Sequence, residues 1–229
     1  IAAAEGHIET AQLLIDKGAN VNQADNDGAT PLRIAAKNGH TATAQLLIDI
    51  GADVNRANND GATALWFAAQ NGRTEGDGST PLFMAAQEGH IETAQLLIYN
   101  GADVNQARAT DRATPLWIAA KNGHAETAQL LIDKGADVNK PDNDGTTPLW
   151  IAAQNGHIET AKLLIDKGAD VNKPDNDGRT PLFLAAENGH TETAKLLIDK
   201  KANVNKAVTR FIYEGRTPLF IAVQNGHTE

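Results

Sequence analysis

The chain reads as an all-α, right-stacked α/α solenoid of helix-turn-helix units with projecting hairpin-like loops. Three observations carry that reading: a fixed period, a capped and apolar first helix, and a second apolar stripe after a glycine turn. The period comes first, because self-similarity at constant spacing changes the fold question before any local signal is weighed. Residues 155–186 read NGHIETAKLLIDKGADVNKPDNDGRTPLFLAA, and residues 122–153 read NGHAETAQLLIDKGADVNKPDNDGTTPLWIAA. The Thr of Thr-Pro-Leu recurs at Thr114, Thr147 and Thr180, a spacing of 33 residues. A unit this short cannot bury its own apolar face and must stack on its neighbours.

Residues 180–200 show why each unit folds as two helices. Thr180 is a good N-cap, since its hydroxyl can accept from a free N–H of the first turn. Pro181 follows at the first helical position, where its missing N–H costs nothing. Leu182, Ala185 and Ala186 then fall on one helix face, and the paired alanines keep the helix thin. Asn188-Gly189 ends it, with the glycine free to take positive φ. Thr193, Ala194, Leu197 and Ile198 form the second stripe, widened by Leu196. Gly135 and Gly168 close the second helix in earlier units, whereas Lys201 stands at that place in a later one. A non-glycine residue there is expected to cost about 1 kcal/mol if the backbone stays left-handed. The A-D-V-N-x-P-D-N-D-G stretch that follows is turn chemistry, and it predicts a projecting loop with acidic tips at Asp142, Asp144, Asp175 and Asp177.

The units run 1–24 (partial), 25–57, 58–76 (truncated), 77–107, 108–141, 142–174, 175–207 and 208–229 (partial), one array over 1–229. The third breaks off at Glu75, and Thr63 and Thr80 are only 17 residues apart, so a second helix and its hairpin are missing there. Three explanations are open: residues omitted from the sequence, a tolerated deletion, or two separate stacks that meet. The unit from 108 has one extra residue and no glycine before Thr114. The last opens with a longer loop, Val208 to Glu214, which puts Thr217 37 residues after Thr180. The chain opens inside a motif at Ile1-Ala2-Ala3 and stops just after Gly226-His227-Thr228, which reads as a fragment with unfinished ends.

T-P-L-x-x-A-A, then G-H, then x-L-L-I-x-x-G-A-D-V-N, resembles the ankyrin repeat over almost the whole chain. The resemblance implies a stacked helix-turn-helix array with projecting hairpins. It also implies a non-catalytic binding scaffold, usually for other proteins, with a groove beside the loops. Ankyrin repeats usually carry His directly after T-P-L. This chain carries Arg33, Trp66, Phe83, Trp117, Trp150, Phe183 and Phe220, which puts the family's His–Thr hydrogen bond in doubt but not the fold.

Composition narrows the function. The net charge is −9, from 29 acidic and 20 basic residues, which argues against nucleic acid as a partner and mildly favours a basic one. There are no cysteines, so disulfides, thiol catalysis and cysteine-bound zinc are excluded. A reducing, intracellular and cytoplasmic setting fits. No apolar run approaches a membrane span of about 20 residues. No cofactor is expected, and a monomer is expected unless the unfinished ends self-associate.

Seven histidines share one repeat position: His7, His40, His90, His124, His157, His190 and His227. Equivalent positions in neighbouring repeats lie about 8–10 Å apart, whereas zinc needs converging ligands at about 2 Å. Each His is therefore read as linking its turn to neighbouring backbone. Ser79 is the single serine and has no repeat counterpart, so a Ser-His-Asp triad is not expected. Gly76-Asp77-Gly78 lacks the strand and third glycine of a phosphate loop, and D-N-D-G is too short for a calcium loop.

The column after T-P-L holds all three tryptophans and three of five phenylalanines. Residues four apart share a helix face, and the ring neighbours Arg179 and Glu187, or Thr146 and Gln154, are polar. The column is therefore expected to face solvent or a partner as a ladder of rings, with Asp144 and Asp177 beside it. A protein segment with basic or apolar side chains would bind there, its guanidinium groups over the rings. Two other functions fit the sequence: a recognition module of a larger enzyme or secreted effector, and a structural spacer without a specific partner.

Overall fold

The computed structural model describes residues 1–57, 78–210 and 213–227. The truncated third repeat, with Trp66, lies wholly outside the described residues. The chain divides into two compact units, Ile1–Pro115 with Asp133–Gly135, and Leu116–Ile132 with Ala136–Glu229.

Among the described residues there are twelve α-helices and no strand: α1 Ile8–Asp16, α2 Pro31–Lys37, α3 Thr41–Asp49, α4 Pro81–Glu88, α5 Ile91–Tyr99, α6 Pro115–Asn122, α7 Ala125–Asp133, α8 Pro148–Gln154, α9 Ile158–Asp166, α10 Pro181–Glu187, α11 Thr191–Asp199 and α12 Pro218–Gln224. First and second helices of a repeat pack on each other, as α2 on α3, α4 on α5, α8 on α9 and α10 on α11. In the first unit α2 lies on α4, and α1, α3 and α5 form a row. In the second unit α8, α10 and α12 form one row, and α9 lies on α11. The core is built from the short middles of these helices: Leu149, Ala152 and Ala153 in α8, and Thr160, Ala161 and Leu164 in α9, are all buried.

The first-helix caps form as their sequence implies. The hydroxyls of Thr30, Thr80, Thr147, Thr180 and Thr217 each accept from the N–H three residues on, at 3.1–3.3 Å. Proline sits at the first helical position each time.

Two side-chain ladders join successive repeats. Asn22 donates from its amide to Gly51 O at 3.1 Å and accepts from Asp53 N at 2.9 Å. Asn55 repeats this with Gly101 O and Asp103 N, and Asn139 with Gly168 O and Asp170 N. The histidines form the second ladder and act as the sequence implies. Nε2 of His40, His90, His157, His190 and His227 lies 2.8–3.1 Å from the backbone oxygen of Ala4, Lys37, Lys121, Gln154 and Glu187. Each oxygen belongs to the repeat next in the stack, so the ring nitrogen donates to it. The preceding glycine is part of the device: a Cβ on Gly156 would come within 2.6 Å of the His190 ring, and its φ is +72°.

The repeats at 25–57 and 77–107 are direct neighbours. α2 lies on α4, His90 reaches Lys37 O, and Asn55 bridges to Gly101 and Asp103. The same bonds join regular repeats, so the reading in which separate stacks meet here is set aside. Thr30 and Thr80 lie 50 residues apart in sequence, 17 more than the repeat period. Removing residues 61–77 leaves N-R-A-N-N-D-G-S-T across the join and restores the 33-residue spacing.

Lys201 does take the left-handed conformation, at φ 73°, and so does Arg112, at φ 62°, in the hairpin without glycine. The Asn bridge onto Lys201 is the longest of its kind, 3.5 Å from Asn172 against 3.1–3.2 Å from Asn22, Asn55 and Asn139 to glycine oxygens. Lys201→Gly is expected to raise stability by about 1 kcal/mol in urea titration. A variant lacking residues 61–77 is expected to keep its helical circular dichroism and to melt cooperatively at the same or a higher temperature. Loss of the cooperative transition would show that the stack depends on that segment.

Candidate partner-binding surface

Five of the six described members of the ring column do not face solvent. Phe83, Trp117, Trp150 and Phe183 are buried, between 0 and 6 % exposed, and Arg33 is 8 % exposed. Only Phe220 is open, at 53 %, and Trp66 lies outside the described residues. The solvent-facing ladder expected from the sequence is thus corrected for five of its seven members. The reason is helix length. α8 and α10 span seven residues each, so the polar neighbours four positions away fall at or beyond the helix ends. Arg179 and Thr146 belong to hairpins, and Glu187 is the last residue of α10. They are not a polar face of the helix that carries the ring.

The rings act as links between repeats. Trp117 Nε1 donates to Thr146 Oγ1 at 3.0 Å and to Thr146 O at 3.2 Å. Trp150 Nε1 donates to Arg179 O at 3.0 Å. Trp117 and Trp150 therefore tie their first helices to the exit of the next hairpin. The ring faces are covered by this chain's own cations. Arg108 lies over Phe83 at 4.7 Å, Lys121 over Trp117 at 5.5 Å, Arg179 over Trp150 at 5.4 Å, and Arg216 over Phe220 at 5.4 Å. Phe183 meets the edge of Tyr213 at 5.7 Å, a residue brought in by the longer last loop. The Glu187 carboxylate, by hydrogen bond and charge, raises the Tyr213 hydroxyl above its ordinary value.

The loop aspartates separate into two kinds. The first of each pair is a turn clamp. Asp142 Oδ1 accepts from Asp144 N at 3.0 Å and Thr146 N at 2.8 Å, and Oδ2 accepts from Thr146 Oγ1. Asp175 accepts from Asp177 N and Arg179 N and pairs with the Arg179 guanidinium, and it is buried. Asp25 clamps its turn the same way. Burial pushes the Asp142 carboxyl up despite the Thr146 donors. For Asp111, burial alone would raise the carboxyl, but the Arg108 guanidinium and the Ala113 N–H outweigh it and hold the group below its ordinary value. Asp142 and Asp175 are therefore corrected from tip residues to internal clamps. The second of each pair remains at the tip: Asp144 is exposed, and Asp177 is half-buried, 3.4 Å from Arg179.

The hairpins close on two backbone bonds whatever their side chains. Asp142 N donates to Thr146 O and Gly145 N to Asp142 O. Arg108 with Ala113 and Arg112, and Val208 with Arg216 and Gly215, make the same pair. The tips of the second unit are joined in series, a feature that sequence reasoning missed. Asn176 N donates to Asp144 O at 2.9 Å, its amide donates to Asn143 O at 3.0 Å, and Arg210 Nη1 reaches Asn176 O at 3.4 Å. The recurring Asn in D-N-D was the available signal. Among the described residues, no three His, Asp or Glu side chains gather to hold a metal ion, and no helix is long and apolar enough to cross a membrane.

A profile of ankyrin repeats matches the chain in three copies, over residues 1–76, 82–175 and 168–229. The chain belongs to the ankyrin-repeat family. It is also similar to the crystal structure of the human ASB11 ankyrin repeat domain, at 29 % identity and a TM-score of 0.80, covering 96 % of this chain and 89 % of that one. No curated protein matches it. Ankyrin repeats are generally protein-interaction modules and typically non-catalytic, and no catalytic family matches the chain.

Because the rings are core residues, their removal should cost stability. Trp150→Ala is expected to lower the unfolding free energy by about 3–5 kcal/mol in urea titration. Trp150→Phe keeps most of the packing and loses the indole bond, for about 1 kcal/mol. Equal stability of the alanine variant and wild type would return the ring to the surface.

Proposed function

We propose that this ankyrin-repeat chain is a non-catalytic scaffold that binds a partner protein segment along its hairpin tips and the adjoining ends of the first helices. The supporting observation is the joined row of tips in the second unit, which holds Asp144 exposed and Asp177 half exposed beside it in fixed order. A row held by backbone and amide hydrogen bonds loses little conformational freedom when a partner lies across it. The buried rings of the second unit, Trp117, Trp150 and Phe183, serve by fixing the spacing of these tips, and Arg33 and Phe83 hold the same repeat position in the first unit. The tryptophan faces already carry the chain's own cations and Phe183 is covered by Tyr213, so partner guanidinium groups have the carboxylates of Asp144 and Asp177 as their natural counterparts.

The test is a double charge reversal, Asp144→Lys with Asp177→Lys. Both side chains lie at tips, so circular dichroism and melting temperature are expected to stay those of wild type. Proteins or peptides captured by wild type are expected to be lost from the variant. Undiminished capture by a folded variant would remove the tips from the binding surface.

A further inference from the structure

The regular hairpins pose a register problem. Residues 139–147 read NKPDNDGTT and residues 172–180 read NKPDNDGRT. A partner that touched only these two tips could shift by one repeat and find nearly the same contacts, so its place would be set by weak differences. Specificity is a difference of free energies between such alternatives. Something must therefore make one register better than the next.

The last hairpin breaks the pattern. It reads N-K-A-V-T-R from Asn205 to Arg210, where those two read N-K-P-D-N-D. The equivalence is structural as well as textual. A Cβ on Gly145 would meet the backbone N and side chain of Asn176, and one on Gly178 would meet the backbone N and side chain of Thr209. Thr209 thus stands where Asn176 stands, Arg210 follows it as Asp177 follows Asn176, and Glu214 stands before the closing Gly215 as Asp177 stands before Gly178. Val208 takes the place of the clamp aspartate, is buried, and keeps the closing pair through Arg216 O and Gly215 N. The chain retains the closing bonds of the hairpin and adds an exposed cation, Arg210, directly after Thr209. Arg210 is exposed and lies against the preceding tip through Asn176 O.

We infer that Arg210, lying against the preceding tip, sets the register of a bound segment: a base of the partner pairs with Asp144 while an acid of the same segment pairs with Arg210. The inference rests on the proposed function and gives its partner a charge pattern. Along the row the charges run Asp144, then Asp177 with Arg179 beside it at 3.4 Å, then Arg210. The middle position is partly neutralised by its own arginine, so the two ends carry the discrimination. Glu214 is the acidic group on the last hairpin, exposed and four residues from Arg210. Two repeat steps span roughly 16–20 Å, which an extended segment crosses in about five or six residues. The partner is a protein segment with a basic and an acidic side chain at about that separation. Moving it one repeat back places its acid against Asp177, and moving it forward leaves its base at Asp177 and its acid beyond Arg210.

The experiment uses the full chain and three synthetic peptides. One carries two lysines and two glutamates in separate blocks six residues apart. The second is its isomer with the charges alternated. The third has the block pattern with glutamine in place of glutamate. The separated peptide is expected to bind about three- to fivefold tighter than its alternated isomer, the size of one exposed ion pair. Half-molar sodium chloride should abolish the preference. A nitroxide at the acidic end should broaden the Thr209 and Arg210 amide signals more than those of Asn176. Arg210→Asp should remove both the affinity difference and the localised broadening. Equal affinity of the two isomers for wild type, or an unchanged difference in Arg210→Asp, would overturn the inference. The glutamine peptide reads only the aspartate tips. Its loss of binding to the Asp144→Lys, Asp177→Lys variant keeps the proposed function in place even where the register inference fails.

Discussion

Every repeat in this chain leaves backbone groups and apolar surface that only the next repeat can satisfy, and the asparagine of A-D-V-N is where that dependence is tightest. One amide both donates to and accepts from the following turn, as Asn139 does with Gly168 O and Asp170 N. The oxygen it reaches is the exposed end of a second helix, and the N–H it accepts begins the next hairpin. Each such exposed bond contributes only about 0.5–1.5 kcal/mol, but one planar amide making two of them at once fixes both the rise and the rotation between units. The histidine bonds fix the same relation from the opposite end of the second helix. Two anchor points per step hold each hairpin at a set distance from its neighbour.

The tryptophans reinforce this third-hand, through the first helix. An indole buried at that position contributes area to the core and a donor to the next repeat's hairpin exit. Most ring faces are then closed by cations from the chain itself, which leaves the hairpin tips as the polar edge available to another molecule. On the proposed function the two tasks are separate in space: the helices carry stability and the loops are given recognition. The separation permits change in the loops at small cost, as the hairpins at 108–113 and 208–216 show. Both keep the closing backbone bonds although their side chains differ, and one places Arg112 at φ 62° where glycine would be easier.

Much of this was legible in the linear order of residues. Thr-Pro before an apolar turn specifies a capped helix start, Asn-Gly specifies its end, and a 33-residue period requires stacking. The role of the histidines also followed, because equivalent positions one repeat apart cannot converge on an ion. The direction of the ring column did not follow. In α8 the polar residues four positions from Trp150 looked like helix neighbours, yet Thr146 belongs to a hairpin and Gln154 closes the helix. Helical periodicity loses its meaning within one turn of a helix end. The acidic loop presented the same difficulty. Asp142 and Asp144 are chemically identical in sequence, and only the fold of the turn makes one an internal acceptor and the other a surface charge.

What the residues determined unaided was the repeat: its length, its two helices, their caps and the family they belong to. These depend on contacts within about thirty residues, where local propensity and periodicity speak directly. The tertiary structure decided which side chains face inward, that the repeats at 25–57 and 77–107 touch across the intervening segment, and that the tips at Asp144, Asn176 and Arg210 are joined in one row. Those outcomes depend on the fit of one repeat against the next, since a side chain's surroundings in a stacked array are supplied by residues a full period away.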